Sequence, residues 1–219
     1  MVSRELTNTL CLLMIFTSFA AVEARNLRHA TIAYLFQALL ICGLLAAYSV
    51  QNSALLYWAA TALVTKAILV PWLLWRSTAG AEQEMKPPIG FGVSAVVLLV
   101  TLSVMYKLTH AHAALFVTGG EGMEEFVRRN LAAAFTVFLL GLYAILTRRD
   151  AIKTVIGLCL LENGVHLSLV SLAPSIKETA LAGIATEVVV TVWLLLYIIG
   201  GIREKFSTTD TFKLSELHW

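Results

Sequence analysis

The sequence predicts an all-α membrane protein of about seven transmembrane helices, and three observations lead to this fold class. Of the 219 residues, 58% are hydrophobic and only 14% are charged, whereas a soluble domain is nearer half apolar and a quarter charged. The mean hydropathy is +0.80. Seven apolar runs approach the roughly 20 residues that a helix needs to cross a bilayer. A soluble core of this size cannot bury so much apolar surface, so lipid is the expected solvent.

The seven predicted spans follow one another with polar connections. They cover residues 6–22, 30–50, 54–75, 89–107, 130–147, 152–172 and 179–201. Pro71 lies in the third span and predicts a kink there, because proline lacks the N–H of a helical hydrogen bond. We interpret the first span as a retained helix rather than a signal peptide, since little basic charge precedes it and no convincing cleavage site follows. Residues 121–129 predict a short surface helix in the longest loop.

The charges in the loops predict the orientation of the chain. Seven spans place alternate loops on opposite sides of the membrane, and one side then holds twice as many basic residues as the other. The richer side has Arg25, Arg28, Arg76, Lys86, Arg148, Arg149, Lys153, Arg203, Lys205 and Lys213, and the poorer side has Arg4, Lys107, Arg128, Arg129 and Lys177. The positive-inside rule therefore predicts an outer N-terminus and a cytoplasmic C-terminus.

The predicted spans divide the chain into three regions. Residues 1–129 form an N-terminal four-helix membrane region with an outward loop, 130–202 a three-helix membrane region, and 203–219 a cytoplasmic tail. Helices one to three and five to seven share weak spacing matches, which suggest a parallel internal repeat. In that alignment Lys66 corresponds to Glu187, and Gln37 corresponds to Glu162. A repeat requires these two sets of helices to superimpose.

Four ionisable side chains lie deep in the predicted spans, namely Lys66, Glu162, His166 and Glu187. A charge in the middle of a bilayer costs about 3 kcal/mol or more unless it is paired or hydrated. Glu162 and His166 are four residues apart and share one face of a helix, so a proton can pass between them directly or through one water. Glu187 can face Glu162 from the next helix, and Lys66 is a suitable counter-charge. The four groups therefore predict a lateral proton path.

The alternative is that these groups only lock helices together through buried polar contacts. Gln37, Asn163 and Thr65 are possible polar lining of the predicted path. Two further residue types have a simpler interpretation: three cysteines in apolar runs are small apolar filler, and Trp58, Trp72, Trp75 and Trp193 near span ends are interfacial belt residues. We expect no cofactor or metal in this chain, and the net charge of +2 argues against a nucleic-acid partner.

Three segments make the chain similar to the hydrogenase-4 component E family (HyfE), membrane subunits of group 4 membrane-bound [NiFe] hydrogenases and formate hydrogenlyases. They are 157–166 (GLCLLENGVH), 58–66 (WAATALVTK) and 183–187 (GIATE). The last three helices also resemble NuoK, the three-helix subunit of respiratory complex I, which carries two membrane glutamates implicated in proton translocation. Glu187 matches the second of these. Cys159 occupies the place of the first, and the acid here is Glu162, about one turn further along the helix.

The resemblance implies a non-catalytic subunit of a redox-driven, ion-pumping complex in a bacterial or archaeal cytoplasmic membrane. It implies as partners antiporter-like membrane subunits, a membrane subunit with a quinone-site-like region (NuoH-like) and peripheral hydrogenase subunits. The nickel–iron centre and the iron–sulfur clusters are then expected in partner subunits. Two other functions stay open from the sequence: an assembly scaffold whose charges only fix helix packing, and a stand-alone secondary transporter.

Overall fold

The computed structural model of the protein describes residues 4–49, 53–79, 89–112, 121–172 and 178–215. Within these ranges, seven helices are long and apolar enough to cross a membrane. The predicted all-α membrane fold is therefore confirmed. The orientation of the chain, its division into three regions and the internal repeat stay predictions.

The helices are numbered in chain order and keep close to the predicted spans. They are α1 (Arg4–Glu23), α2 (Leu27–Tyr48), α3 (Ala54–Ala62), α4 (Val70–Thr78), α5 (Phe91–Ala111), α6 (Glu121–Thr147), α7 (Ala151–Leu172), α8 (Glu178–Phe206) and α9 (Thr211–Ser215). A π-helical segment, Leu63–Leu69, joins α3 to α4 without a break, and the three together form the third span. The prediction of a separate surface helix over 121–129 was wrong, because these residues form the first turns of α6.

The π-helical segment was not predicted and ends two residues before Pro71. The N–H of Val70 donates to the carbonyl of Thr65, a bond that spans five residues instead of the four of an α-helix. Short π-helical segments inside α-helices are rare and occur frequently at functional sites. This segment carries Lys66 at its centre. The kink expected at Pro71 stays a prediction, and what the structure shows there is this wider helical turn.

Helices α6 and α7 pack with their backbones in direct contact, because glycines remove the side chains that would separate them. A Cβ built on Gly164 would lie 2.6 Å from the backbone nitrogen of Phe138. One built on Gly141 would lie 2.6 Å from the carbonyl oxygen of Gly157. No larger residue fits at such distances unless a helix moves. The contact fixes the rotation of α7, and with it the direction in which Glu162 and His166 project.

A polar layer divides the apolar interior of the bundle into two clusters. One cluster includes Ile41, Trp58 and Leu167, and the other includes Tyr34, Val70 and Leu160. Along α2, the third span and α7, four of the buried polar residues lie between these two sets, namely Gln37, Lys66, Asn163 and His166. The polar groups therefore share one level in the bundle, with packed hydrocarbon on either side.

A second polar network lies at the end of the bundle where α6 gives way to α7. The guanidinium of Arg148 pairs with Glu23 of α1 and contacts Ser94 Oγ of α5 at 3.3 Å. Asp150 accepts the N–H groups of Ile152 (2.8 Å) and Lys153 (3.1 Å), and so caps α7. The hydroxyl of Thr209 donates to the other carboxylate oxygen of Asp150 at 2.7 Å. The segment after α8 is thereby fastened to the start of α7.

Candidate functional site: a buried charge cluster

Three elements bring the charge cluster together. The π-helical segment supplies Lys66, α7 supplies Glu162, Asn163 and His166, and α2 supplies Gln37. Lys66, Asn163, His166 and Gln37 are at most 1% exposed, whereas the side chain of Glu162 keeps 24% of its surface accessible. One ionisable group of the cluster therefore reaches the surface of the bundle while its partners do not.

The Lys66 ammonium is the centre of the cluster. Its Nζ donates to Asn163 Oδ1 at 2.6 Å and contacts the Nδ1 of His166. Nζ also lies 3.1 Å from Glu162 Oε1, which makes the two residues an ion pair. The geometry of this contact is outside that of a hydrogen bond. An ammonium has three donors, and here three acceptors surround it. Buried charges persist when they are paired and hydrogen-bonded in this way.

The ring of His166 lies between the lysine and the glutamate, with one ring nitrogen near each of them. If Nδ1 accepts from the Lys66 ammonium, the ring hydrogen is on Nε2. That nitrogen lies 3.4 Å from Glu162 Oε1 but makes no hydrogen bond to it. The edge of the ring also meets Trp58, with centroids 5.2 Å apart and planes at 78°. The imidazole is thus held between an apolar ring and two charged groups.

Asn163 connects Lys66 to α2. While its Oδ1 accepts from Lys66, its Nδ2 donates to Gln37 Oε1 at 2.6 Å. The amide therefore fixes Lys66 on one side and α2 on the other. The remaining nitrogen of Gln37 and the indole nitrogen of Trp58 are buried donors that have no acceptor among the described protein atoms.

A cleft of about 290 Å³ lies between α7 and α8 and contains the two glutamates. Glu162 lines it together with His166 on one wall, and Glu187 and Thr191 line the other. The remaining lining is apolar. Glu187 is exposed at the surface of the chain, although its helix is long and apolar enough to span a membrane. The cleft thus gives the two carboxylates a common space.

The structure brings most of the sequence-predicted site residues together, and Thr65 is the exception. Lys66, Glu162 and His166 are in contact, Asn163 and Gln37 extend their network, and Glu187 shares the cleft. The hydroxyl of Thr65 instead donates to the carbonyl of Thr61 within its own helix, at 2.8 Å. The assignment of Trp58 to the interfacial belt was wrong, because it is 2% exposed and contacts His166. Its position four residues after the start of an apolar run gave no signal that could separate the two environments.

Metal ligation has little support in the part of the chain that the structure describes. No group of three or more His, Cys, Asp or Glu residues is close enough there to hold a metal ion. The thiols of Cys11, Cys42 and Cys159 are free and buried in separate helices. Cys11 donates to Asn130 Oδ1 at 3.3 Å, a helix-packing contact. Lysine, glutamate and histidine side chains, as in the cluster, are groups that can bind and release protons.

Comparisons with known proteins identify relatives along the whole chain. Residues 130–219 match the family model NADH-ubiquinone/plastoquinone oxidoreductase chain 4L. Hydrogenase-4 component E of Escherichia coli (strain K12) and that of Shigella flexneri are each 30% identical over 219 residues, which cover 99% of this chain and 99% of theirs. An uncharacterized protein of Mycobacterium tuberculosis is 26% identical over 210 residues, 93% of this chain and 92% of its own. No solved structure matches. Both resemblances drawn from the sequence are confirmed.

Proposed function

The chain belongs to the hydrogenase-4 component E family, and from this membership we propose that it is a non-catalytic membrane-arm subunit of a hydrogenase or formate hydrogenlyase-type complex. Its task is to provide part of a lateral proton path, or of the electrostatic coupling along such a path. The observation that carries the proposal is the ion pair of Lys66 and Glu162, with Nζ and Oε1 3.1 Å apart between two apolar clusters.

Glu162 is the group best suited to exchange protons, because it belongs to the cluster and to the cleft at once. The ammonium of Lys66 stabilises its carboxylate form. When Glu162 is protonated or turns away, Lys66 keeps its contacts to Asn163 and His166, although its charge then has no carboxylate partner among them. The side chain of Glu162 keeps 24% of its surface accessible, so it has room to turn into the cleft.

Glu187 is the second station of the proposed path, and the cleft is the space that joins it to Glu162. His166 relays protons or tunes the proton affinity of Glu162, since its Nε2 lies 3.4 Å from Glu162 Oε1. A cleft of this volume holds several water molecules. The buried donors of Gln37 and Trp58 would bind water on the opposite side of the cluster.

The exposure of Glu187 supports the proposal that other membrane subunits cover this face. A carboxylate facing lipid at membrane depth is costly, so the favoured surroundings are a polar group of a neighbouring helix. The expected neighbours are antiporter-like subunits on one side and a quinone-site-like subunit on the other. Redox chemistry, with the nickel–iron centre and the iron–sulfur clusters, is assigned to partner subunits in the same cytoplasmic membrane, with the C-terminus of this chain on the cytoplasmic side.

The test replaces each station in the intact complex and measures coupling separately from assembly. Glu162→Gln and Glu187→Gln keep the shape of the side chain and remove its charge and its exchangeable proton. Each variant should assemble, should retain electron transfer, and should lose proton translocation into inverted membrane vesicles. Glu204→Gln is the matched control, because Glu204 is an exposed glutamate of the same helix as Glu187. Unchanged translocation in both station variants would rule out the path.

The two other functions give different outcomes in the same experiment. A scaffold whose charges only fix helix packing would fail to assemble once Glu162 is replaced. A stand-alone transporter would purify alone or as a homo-oligomer, without iron–sulfur proteins. Co-purification of the unaltered chain with such proteins is therefore the first measurement.

A further inference from the structure

Two arginine–tryptophan pairs lie at one end of the bundle, away from the charge cluster. The guanidinium carbon of Arg28, in the first turn of α2, lies 5.5 Å from the ring centroid of Trp75. That of Arg76 lies 5.8 Å from the ring of Trp72. Both arginines are exposed, and Trp72 and Trp75 keep 55% and 46% of their surface accessible. Cation–π contacts at this range hold a guanidinium over the ring without neutralising its charge.

The ends of three helices meet at this place. The contact between Arg28 and Trp75 joins the beginning of α2 to the end of α4. Arg203, in the last turn of α8, donates to the carbonyls of Ser77 and Ala79 at 3.0 Å each. The guanidinium groups of Arg28 and Arg203 therefore contact the end of α4, the helix that carries Arg76.

The charges of Arg28 and Arg76 have no carboxylate partner within the described ranges. The glutamates there that pair with a lysine or arginine are Glu162, which pairs with Lys66, and Glu23, which pairs with Arg148. Both pairs therefore use cations other than Arg28 and Arg76. A positive patch between exposed aromatic rings at the ends of membrane spans complements an anion at the same depth.

Below Arg76, α4 and the π-helical segment continue as an accessible apolar stripe. Trp72 and Ile68 precede Arg76 at intervals of four residues, and Ile68 is 56% exposed. The order along the stripe is cation, amphipathic ring and aliphatic side chain, from the end of the span toward its middle. A phospholipid presents the same order as phosphate, glycerol ester and acyl chain. We propose that Arg28, Arg76, Trp72 and Trp75 form a binding site for the headgroup phosphate of an anionic phospholipid.

Native mass spectrometry of the purified full-length chain in detergent tests this site, with phosphatidylglycerol and phosphatidylcholine as probes. The chain should retain phosphatidylglycerol in preference to phosphatidylcholine. Each basic residue near an anionic lipid contributes about fivefold in binding. Arg28→Gln and Arg76→Gln should therefore each weaken phosphatidylglycerol binding roughly fivefold, and the double variant roughly 25-fold if the effects add. Arg76→Lys retains the charge and should bind within about threefold of the unaltered chain.

Lys107→Gln is the control, because Lys107 is an exposed cation near the other end of the bundle, in the last turns of α5. It should leave binding unchanged, and thermal unfolding of every variant should match that of the unaltered chain. Equal retention of the two lipids, or a double variant that binds phosphatidylglycerol within twofold of the unaltered chain, would overturn the site. Displacement of the lipid by inorganic phosphate at equal concentration would also overturn it, since the acyl chains would then contribute nothing.

Discussion

Lys66 and Glu162 come from opposite halves of the chain, and their charges meet 3.1 Å apart between two apolar clusters of the bundle. Removing one member of such a pair leaves the other charge buried without compensation, which typically costs about 3–5 kcal/mol. Because Glu162 reaches the cleft, loss of its partner should cost less free energy than the loss of Glu162 costs Lys66. The pair is therefore asymmetric, and a double-mutant cycle makes the asymmetry measurable.

The first prediction concerns the stability of Lys66 and Glu162 variants in detergent. Glu162→Gln should lower the free energy of unfolding, because Lys66 is almost fully buried and keeps its charge. Lys66→Met should lower it less, by about 1–3 kcal/mol, because Glu162 can turn into the cleft or become protonated. The double variant should be more stable than the sum of the single effects predicts. Additive effects would show that the two charges do not interact.

The close packing of α6 and α7 leads to the second prediction. Gly164→Ala places a methyl group 2.6 Å from the backbone nitrogen of Phe138 and 2.7 Å from the carbonyl of Ala134. Relief of these clashes requires the helices to separate, and such overpacking costs about 1–3 kcal/mol. The same shift moves Glu162 and His166, so coupling should fall as well. Loss of coupling with full stability would mean that the helix rotates instead of separating.

Gly43→Ala is the matched control for the glycine prediction. A Cβ at Gly43 meets nothing within 4 Å, and the residue lies inside α2. Alanine is the better helix former by up to about 1 kcal/mol. This variant should therefore unfold at an equal or higher denaturant concentration than the unaltered chain. A loss of stability equal to that of Gly164→Ala would refute the packing argument.

The fold was largely predictable from the sequence, because lipid imposes a simple length and composition on each span. The ionisable members of the cluster were predictable for the same reason, since charges such as Lys66 and Glu162 are conspicuous in apolar runs. Trp58 and the π-helical segment were not predictable. An apolar aromatic residue satisfies a bundle interior and a membrane interface equally well. The wider turn at Lys66 lies against α2 and α8, and spacing along one helix does not reveal such contacts.

The third prediction concerns the cap of α7. Asp150 accepts two backbone N–H groups of the first turn and a hydroxyl donated by Thr209. Asp150→Ala should lower the free energy of unfolding by about 1 kcal/mol, as the loss of such a cap does elsewhere. Asp150→Asn should lower the free energy of unfolding much less, since asparagine caps helices equally well. Equal losses in both variants would show that the negative charge matters, and the cap hydrogen bonds do not.

The fourth prediction separates the positioning of Lys66 from simple helix packing. Asn163→Leu has a similar volume but removes the acceptor of Lys66 and the donor to Gln37. The buried groups left unpaired should lower the free energy of unfolding by about 1–3 kcal/mol. Gln37→Leu breaks the link to α2 but leaves Lys66 bonded to Asn163. If Asn163 holds Lys66 in place for proton transfer, Asn163→Leu should reduce translocation in the assembled complex much more than Gln37→Leu does. Equal effects of the two variants would assign the asparagine to helix packing alone.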